Sequence, residues 1–168
     1  DRADIAIAFG IPTLQVTEQS LDIGRLKSAF PQLKLGRSIH ALEQIRDFGA
    51  QCDYCLLGHI FPTKQKSYPP FGLKRLAEAR ALADNEKVKL FLIGGVTHQN
   101  VAKILPFADG IAQMSRLFQH PESPQADANQ AGIMEAKRVR EVMAHFRERG
   151  AEAASRISME IEDGEDRD

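Results

Sequence analysis

Short apolar runs alternate with amphipathic segments along this chain of 168 residues, and this alternation restricts its fold more than any other feature. An apolar run of roughly five residues is typical of a buried strand. Strands that are separated by helices form βαβ units, whose strands pair in parallel. Strands are predicted over 13–16, 33–35, 53–57, 87–93 and 109–114, and helices over 3–9, 23–30, 41–48, 73–83, 97–105 and 133–149.

The regular succession of strand and helix favours an α/β fold of the (β/α)₈ (TIM) barrel type, or part of such a barrel. A doubly wound sheet is the alternative, because counting strands does not separate the two. We expect one domain over 1–150, with a turn at 36–38 and a loop over 119–130. The acidic segment 151–168 has few large apolar side chains, so a disordered tail is predicted there.

Composition argues against several classes of partner. The formal net charge is −1, whereas nucleic-acid binding needs a basic surface, so no nucleic-acid partner is expected. No apolar run is long enough to cross a membrane and no signal peptide is evident, so a cytoplasmic protein without a membrane partner is expected.

Cys52 and Cys55 are three residues apart in or beside a strand, where side chains alternate. They are predicted to point apart and to serve neither metal binding nor redox chemistry.

His59 is the leading candidate for a catalytic residue. It follows the apolar run 53–57 and Gly58, and catalytic side chains of α/β proteins emerge at the carboxyl ends of strands. Thr63 and Lys66 come shortly after it. An imidazole, a hydroxyl and an ammonium together indicate proton transfer on an anionic small molecule. The alternative is a histidine that only caps the strand through a backbone hydrogen bond.

Two further strand ends indicate phosphate binding. Gly94 and Gly95 separate a predicted strand from a helix start, and glycines let backbone N–H groups approach an anion closely. Met114 and Ser115 follow in the same way at the end of the last predicted strand. In barrels, the loops after the last two strands commonly hold a phosphate. The alternative for the glycines is a role in helix–sheet packing alone.

Several spaced motifs, taken together, carry a family resemblance. They are Gly36-Arg37-Ser38-Ile39-His40-Ala41-Leu42-Glu43, Asp53-Tyr54, Gly58-His59-Ile60-Phe61-Pro62-Thr63, Lys66, Gly94-Gly95-Val96-Thr97 and Met114-Ser115. In this order they resemble the thiamine phosphate synthase/TenI family. The resemblance implies a TIM barrel that holds the ligand phosphate at the glycine turn and the Met-Ser turn. It places Asp1 and Arg2 at the end of the family's third strand, so the N-terminal strands of the barrel are expected to be missing from this chain.

The resemblance implies one of two reactions. Thiamine phosphate synthase joins hydroxymethylpyrimidine diphosphate to a thiazole phosphate with Mg²⁺, whereas the TenI-type thiazole tautomerase aromatises a carboxylated thiazole phosphate with a histidine and no metal. Ser20 stands where the synthases usually have an Asp that helps to hold Mg²⁺, and His59 stands where they usually have Pro. We therefore expect a thiazole tautomerase, an isomerase of thiamine biosynthesis without a cofactor. The alternatives are the synthase, a transferase that would need Mg²⁺, and a non-catalytic binder or regulator.

The resemblance also implies roles for individual residues. His59 would act as the acid/base catalyst, and no metal site is expected. His40, judged by its position at a predicted helix start rather than by the resemblance, is expected to cap or pack there. Arg116 departs from the small residue that usually follows the Met-Ser pair. The expected partner is a phosphorylated thiazole substrate, and a homodimer stays open. The predicted substrate and phosphate contacts are Gly94, Gly95, Met114, Ser115, Ser38, Thr63, Lys66 and Gln15.

Overall fold

The computed structural model describes residues 2–64, 66–114 and 125–149. The strands are β1 (Thr13–Val16), β2 (Lys34–Ile39), β3 (Tyr54–Gly58), β4 (Lys89–Ile93) and β5 (Gly110–Ala112). The α-helices are α1 (Ala3–Ala8), α2 (Ile23–Ala29), α3 (Glu43–Phe48), α4 (Leu76–Asn85) and α5 (Gln125–Arg149), and short 3₁₀ helices cover Gly49–Gln51, Val101–Lys103 and Leu105–Phe107. The predicted alternation of strand and helix is therefore confirmed.

The five described strands form one sheet in which every neighbouring pair is parallel. Their order in the sheet, β1-β2-β3-β4-β5, is also their order in the chain. A doubly wound sheet reverses its strand order at a switch point, whereas the wall of a barrel does not. The α/β prediction is confirmed, and the strand order is that of a barrel wall.

Strand β3 separates the core from the site because its side chains alternate between the two faces of the sheet. Cys55 and Leu57 are fully buried in the same cluster as Ile45 of α3 and Leu76 of α4. Leu56 and Gly58 instead line a cavity. One face of β3 thus anchors the helices, and the other face and its carboxyl end shape the site.

Asp53, immediately before β3, ties that strand to the preceding βα unit. Its carboxylate accepts hydrogen bonds of 2.8 Å from the backbone N–H of Leu35 in β2 and of 2.8 Å from Lys27 Nζ of α2. Its own N–H donates to the Leu35 carbonyl. Since the carboxylate faces both a strand and a helix, it fixes the start of β3 relative to β2.

Asp109, immediately before β5, repeats this arrangement two strands later. Its carboxylate accepts from the backbone N–H of Leu90 in β4 at 2.8 Å and from Arg80 Nη1 of α4 at 2.6 Å. Its N–H donates to the Leu90 carbonyl. Strands β3 and β5 are therefore each preceded by an aspartate that bonds to the neighbouring strand and to a helix.

Strand β2 is longer than the sequence pattern predicts. The predicted strand 33–35 continues as far as Ile39, so the predicted turn at 36–38 is wrong. Gly36 was the misleading signal, since glycine usually weakens a strand. Here a Cβ at Gly36 would lie 2.0 Å from the Tyr54 ring, so glycine leaves space for that ring rather than making a turn.

The predicted helix over 97–105 is also wrong. The structure has the two short 3₁₀ helices there, and Thr97 belongs to neither. The Asn100 side chain accepts from the Thr97 N–H at 2.8 Å and donates to the Gly95 carbonyl at 3.0 Å. Such side-chain bonds compete with a regular helix, and Pro106 cannot donate a backbone hydrogen bond.

The remaining differences concern the cysteines and the C-terminal part. Cys52 precedes β3, so strand alternation does not apply to it, and its thiol is hydrogen-bonded to that of Cys55 rather than pointing away. Both cysteines are free thiols.

Residues 125–130 of the predicted loop are helical, whereas 119–124 and the predicted tail 151–168 lie outside the described residues. Within the described ranges, no helix combines the length and apolar character needed to span a membrane.

Candidate active site

A cavity of about 540 Å³ opens where β2, β3, β4 and β5 end. Ligand sites of parallel α/β proteins lie at this edge of the sheet, because the strands deliver their following loops there. The lining includes two imidazoles, two ammonium groups and three glycines. Its polar and glycine members include Ser38, His40, Gly58, His59, Thr63, Lys64, Lys66, Gly94, Gly95 and Gln113.

His59 follows β3 directly and faces this cavity. Only 5% of the residue is exposed, and its Nδ1 has no hydrogen-bond partner within the described part of the chain. Burial, followed by the charges of Lys66 and His40, lowers the pKa of the imidazole below its usual value, and a hydrogen bond to the Tyr68 backbone acts in the opposite direction. The neutral imidazole is therefore the favoured form near pH 7, and it can accept a proton.

The predicted glycine turn after β4 lies beside His59. Gly94 and Gly95 have φ values of +100° and +67°, a region that L side chains rarely adopt. A Cβ on Gly95 would lie 2.7 Å from the Cβ of Phe61. The two glycines thus permit both the turn and its close approach to the chain after β3. This is a packing role, and it also leaves their backbone open to a ligand in the cavity.

The loop after His59 brings cationic and hydroxyl groups to the cavity. Lys66 Nζ lies 5.4 Å from the centroid of the Tyr68 ring. The Oγ1 of Thr63 is buried and, among the residues described, has no hydrogen-bond partner. The Phe71 N–H donates to the His59 carbonyl at 2.8 Å and so closes the loop back onto the end of β3. The predicted residues Thr63 and Lys66 are therefore brought together with His59.

The other predicted contacts have mixed positions. Ser38 and Met114 line the cavity. Gln15 lies outside the lining, and its Nε2 donates to Ser38 Oγ at 2.9 Å, so it supports a lining residue. Ser115 and Arg116 lie outside the described residues, and the prediction for Ser115 stays untested.

His40 and Gln113 line the cavity although the sequence pattern gave neither a role there. His40 Nδ1 is hydrogen-bonded to the carbonyl of Gly58. Gln113 Nε2 donates to the Val96 carbonyl at 2.9 Å. A signal for His40 was present, because it directly follows β2 just as His59 directly follows β3. The assumed turn at 36–38 ended β2 too early and concealed that equivalence.

Magnesium, which the synthase reaction needs, does not fit the described donor set. Mg²⁺ is held in proteins mainly by carboxylates, and no Asp or Glu occurs among the described residues of the cavity lining. Ser20 Oγ instead accepts from the Thr17 N–H at 2.8 Å. Glu18 Oε1 accepts from Gln44 Nε2 at 2.7 Å. Over residues 2–64, 66–114 and 125–149, no cluster of His, Cys, Asp or Glu is arranged to hold a metal ion.

Fold and site together define a class of protein. A parallel sheet in sequential order, with a glycine turn and cationic side chains at the carboxyl ends of its strands, is typical of barrel-type proteins that bind anionic small molecules. Residues 1–117 match the family model described as thiamine monophosphate synthase. The chain belongs to this family.

Individual relatives agree with this assignment. The thiamine-phosphate synthase of Koribacter versatilis is 35% identical over 126 residues, which are 72% of this chain and 58% of the relative. The thiamine-phosphate synthase of Pyrococcus furiosus is 31% identical over 121 residues, which are 70% of this chain and 57% of the relative. The match to each of these two curated relatives thus spans less than three fifths of the relative's length.

Solved structures support the fold. The thiamine phosphate pyrophosphorylase from Pyrococcus furiosus superposes with a TM-score of 0.66 at 28% identity, covering 84% of this chain and 66% of that one. Phosphoribosyl anthranilate isomerase from Thermotoga maritima gives a TM-score of 0.54 at 16% identity over 80% of this chain and 65% of that one, which shows a shared fold only.

Proposed function

We propose that this protein acts in thiamine biosynthesis and that its cavity binds a phosphorylated thiazole. The observation that carries this proposal is the left-handed Gly94–Gly95 turn, which lines the same cavity as Lys64 and Lys66. Consecutive turn residues without side chains let an anion reach the backbone, and the two ammonium groups add positive charge. We infer from family membership that the ligand contains a thiazole, because a thiazole phosphate takes part in both reactions expected from the sequence.

Transfer is the reaction that the comparisons support better. The relatives at 31% and 35% identity are named thiamine-phosphate synthase. In this reaction the described cavity would hold the thiazole phosphate onto which the hydroxymethylpyrimidine group is transferred. The described residues do not supply ligands for Mg²⁺, so we derive no step that passes through the metal.

Tautomerisation is a second candidate, and His59 is the specific observation that favours it. The imidazole is buried in the cavity, its Nδ1 has no hydrogen-bond partner among the residues that the structure describes, and its lowered pKa keeps it neutral. A neutral imidazole can take the proton from the ring carbon that bears the carboxylate. The same imidazole can return a proton to the exocyclic carbon, which leaves an aromatic thiazole. Such acid/base help contributes roughly 10²–10⁴-fold to a rate.

In this reaction the loop after His59 would hold the substrate carboxylate. Lys66 would contribute its charge, and the Oγ1 of Thr63, which lacks a partner within the described part of the chain, would gain a hydrogen bond. The phosphate would sit at the glycine turn. The tautomerase proposal needs no group beyond the described side chains and the substrate.

The ligand proposal is tested by calorimetric titration of the full-length protein with thiazole phosphate. Lys66→Ala should weaken binding about tenfold or more, because a charge-assisted contact is lost. Lys103, which is exposed and outside the cavity lining, provides the matched control, and Lys103→Ala should bind like the parent. Absence of binding to the parent protein would overturn the proposal.

The two reactions are separated by two assays on the same preparations. Ultraviolet absorbance follows aromatisation of the carboxylated thiazole phosphate with EDTA present, and a second assay follows thiamine phosphate formation with Mg²⁺. A tautomerase should turn over in EDTA, and His59→Asn should lose at least about 10²-fold. A synthase should turn over only with pyrimidine diphosphate and Mg²⁺. Binding without turnover in either assay would identify a non-catalytic binder.

A further inference from the structure

The cavity contains a second imidazole that the proposed reactions leave without a task. His40 follows β2 and His59 follows β3, and these strands are hydrogen-bonded neighbours. The ring of Tyr68 contacts both imidazoles edge-on, with centroid distances of 4.9 Å to His59 and 6.3 Å to His40. The two histidines therefore belong to one cluster.

The hydrogen bond of His40 reaches the backbone next to His59. Its Nδ1 is bonded to the carbonyl oxygen of Gly58. A carbonyl oxygen only accepts, so Nδ1 carries the proton and donates it. The Gly58 carbonyl belongs to the peptide unit that joins Gly58 to His59. The ring of His40 thus restrains the peptide from which the His59 side chain enters the cavity.

His40 is itself held in place by α3. The side-chain Oε1 of Gln44 accepts from the backbone N–H of His40 at 2.6 Å and from that of Ala41 at 3.1 Å. The support therefore runs from α3 through His40 to the end of β3. A restraint of this kind matters for catalysis because a displacement of about 1 Å at a reacting group can cost roughly 10²-fold in rate.

We propose that His40 is a positioning residue for His59, acting through the hydrogen bond from its Nδ1–H to the Gly58 carbonyl. The proposal rests on the proton-transfer role proposed for His59. This role uses only the Nδ1–H of His40, which is engaged with the backbone, and a proton-carrying role for the His40 ring is the alternative that the experiment distinguishes.

The test uses the full-length protein with His40→Asn and His40→Leu. The asparagine amide can donate from nearly the same place as Nδ1 but cannot carry a proton, whereas leucine can do neither. We expect His40→Leu to lower kcat for aromatisation about tenfold with KM changed less than about twofold, and His40→Asn to recover kcat to within about threefold of the parent.

A second measurement reads the position of His59 without any turnover. The imidazole cross-peaks of histidine-labelled protein are followed by NMR through a pH titration, and the His59 peak is assigned from its loss in His59→Asn. The His59 peak should shift in His40→Leu and return close to its parent position in His40→Asn. If leucine prevents folding, His40→Gln replaces it, since its longer side chain places the amide beyond the Nδ1 position.

Two results would overturn the proposal. The first is a His59 peak and a kcat that stay unchanged when the Nδ1 donor is removed. The second is a kcat as low in His40→Asn as in His40→Leu, which would make the His40 ring a proton carrier. If the parent protein shows no turnover, the proton-transfer function fails, and the NMR comparison alone then decides whether His40 positions His59.

Discussion

A Cβ added to Gly94 would lie 2.3 Å from the Cβ of His59. The turn after β4 and the first residue after β3 are therefore in direct backbone contact. Glycine at position 94 sets how closely these two chain segments approach. The candidate proton carrier and the candidate phosphate turn are consequently parts of one packed unit, and a change in one should displace the other.

Gly94→Ala should damage stability and the site together. The new methyl group would meet the His59 backbone, and alanine is strained at φ +100°, so we expect a loss of about 2–4 kcal/mol in the free energy of unfolding by urea. Gly10 is the matched control, because its φ is +64° and no atom of the described residues lies within 4 Å of a Cβ added there. Gly10→Ala should cost only about 1 kcal/mol. Equal losses in the two variants would contradict the contact with His59.

The lowered pKa of His59 predicts an acid limb in the pH profile of aromatisation. The neutral imidazole is the base, so kcat should be constant near neutral pH and fall only below the usual histidine range. Lys66→Ala removes a charge that lowers this pKa and should move the acid limb to higher pH. If the rate of the parent began to fall at or above the ordinary histidine pKa, the lowered pKa of His59 would be contradicted.

The same shift links His59 to stability. Its folded-state pKa lies below the unfolded value, so the unfolded chain binds the proton more readily. The free energy of unfolding should therefore be constant above the unfolded pKa and fall as pH drops through it to the lower folded value. Urea denaturation of the parent and of His59→Asn at several pH values measures this, and the extra acid sensitivity should be absent from the variant.

Asp53 and Asp109 should each stabilise the fold mainly as carboxylates. Burial opposes their ionisation, but hydrogen bonds from a cation and a backbone N–H outweigh it and lower both pKa values. Asp53→Asn and Asp109→Asn should each lose about 1–3 kcal/mol at pH 7. The exposed Asp47 is the control, and Asp47→Asn should have little effect.

The pH dependence of this effect follows from the sign of the shift. A lowered carboxyl pKa contributes stability above the unfolded value, and that contribution is lost as pH falls through the folded value. The difference in the free energy of unfolding between the parent and each asparagine variant, measured by urea denaturation, should therefore become smaller at acid pH. A gap that stays constant down to the acid transition would show that ionisation is not the source of the stability.

Cys52 should be the more reactive thiol of the pair. The hydrogen bond from Cys55 lowers the pKa of Cys52, and the same bond followed by burial raises the pKa of Cys55. Iodoacetamide should label half-buried Cys52 in the folded protein, whereas fully buried Cys55 should be labelled only after unfolding. Mass spectrometry of the labelled peptides measures both rates. Cys55→Ala should slow the labelling of Cys52, and equal labelling of both thiols in the folded parent would refute the assignment.

The features that the sequence predicted correctly are those with a strong local pattern. The apolar run of β3 allows little besides a buried strand, and the position of His59 at its end followed from that run. The Gly94–Gly95 turn was predicted because two adjacent glycines between a strand and a helical pattern have few other uses. These two elements form the part of the cavity that lies at the ends of β3 and β4.

The features that escaped prediction depend on contacts between distant residues. Gly36 suggested a turn, and only the ring of Tyr54 from the next strand explains why glycine occupies a strand there. His40 was overlooked for the same reason, since its equivalence to His59 requires the true end of β2. The helix predicted over 97–105 failed because the side-chain bonds of Asn100 are invisible to a periodic pattern.

Strand β3 has a structural carboxylate before its first residue and an imidazole after its last. Asp53 and His59 are six positions apart, roughly 20 Å along an extended chain. The residues at the two ends of β3 can therefore change independently of each other during evolution. Substitutions at the Asp53 end can alter the stability of the fold, and substitutions at the His59 end can alter the reaction. Neither change requires the other.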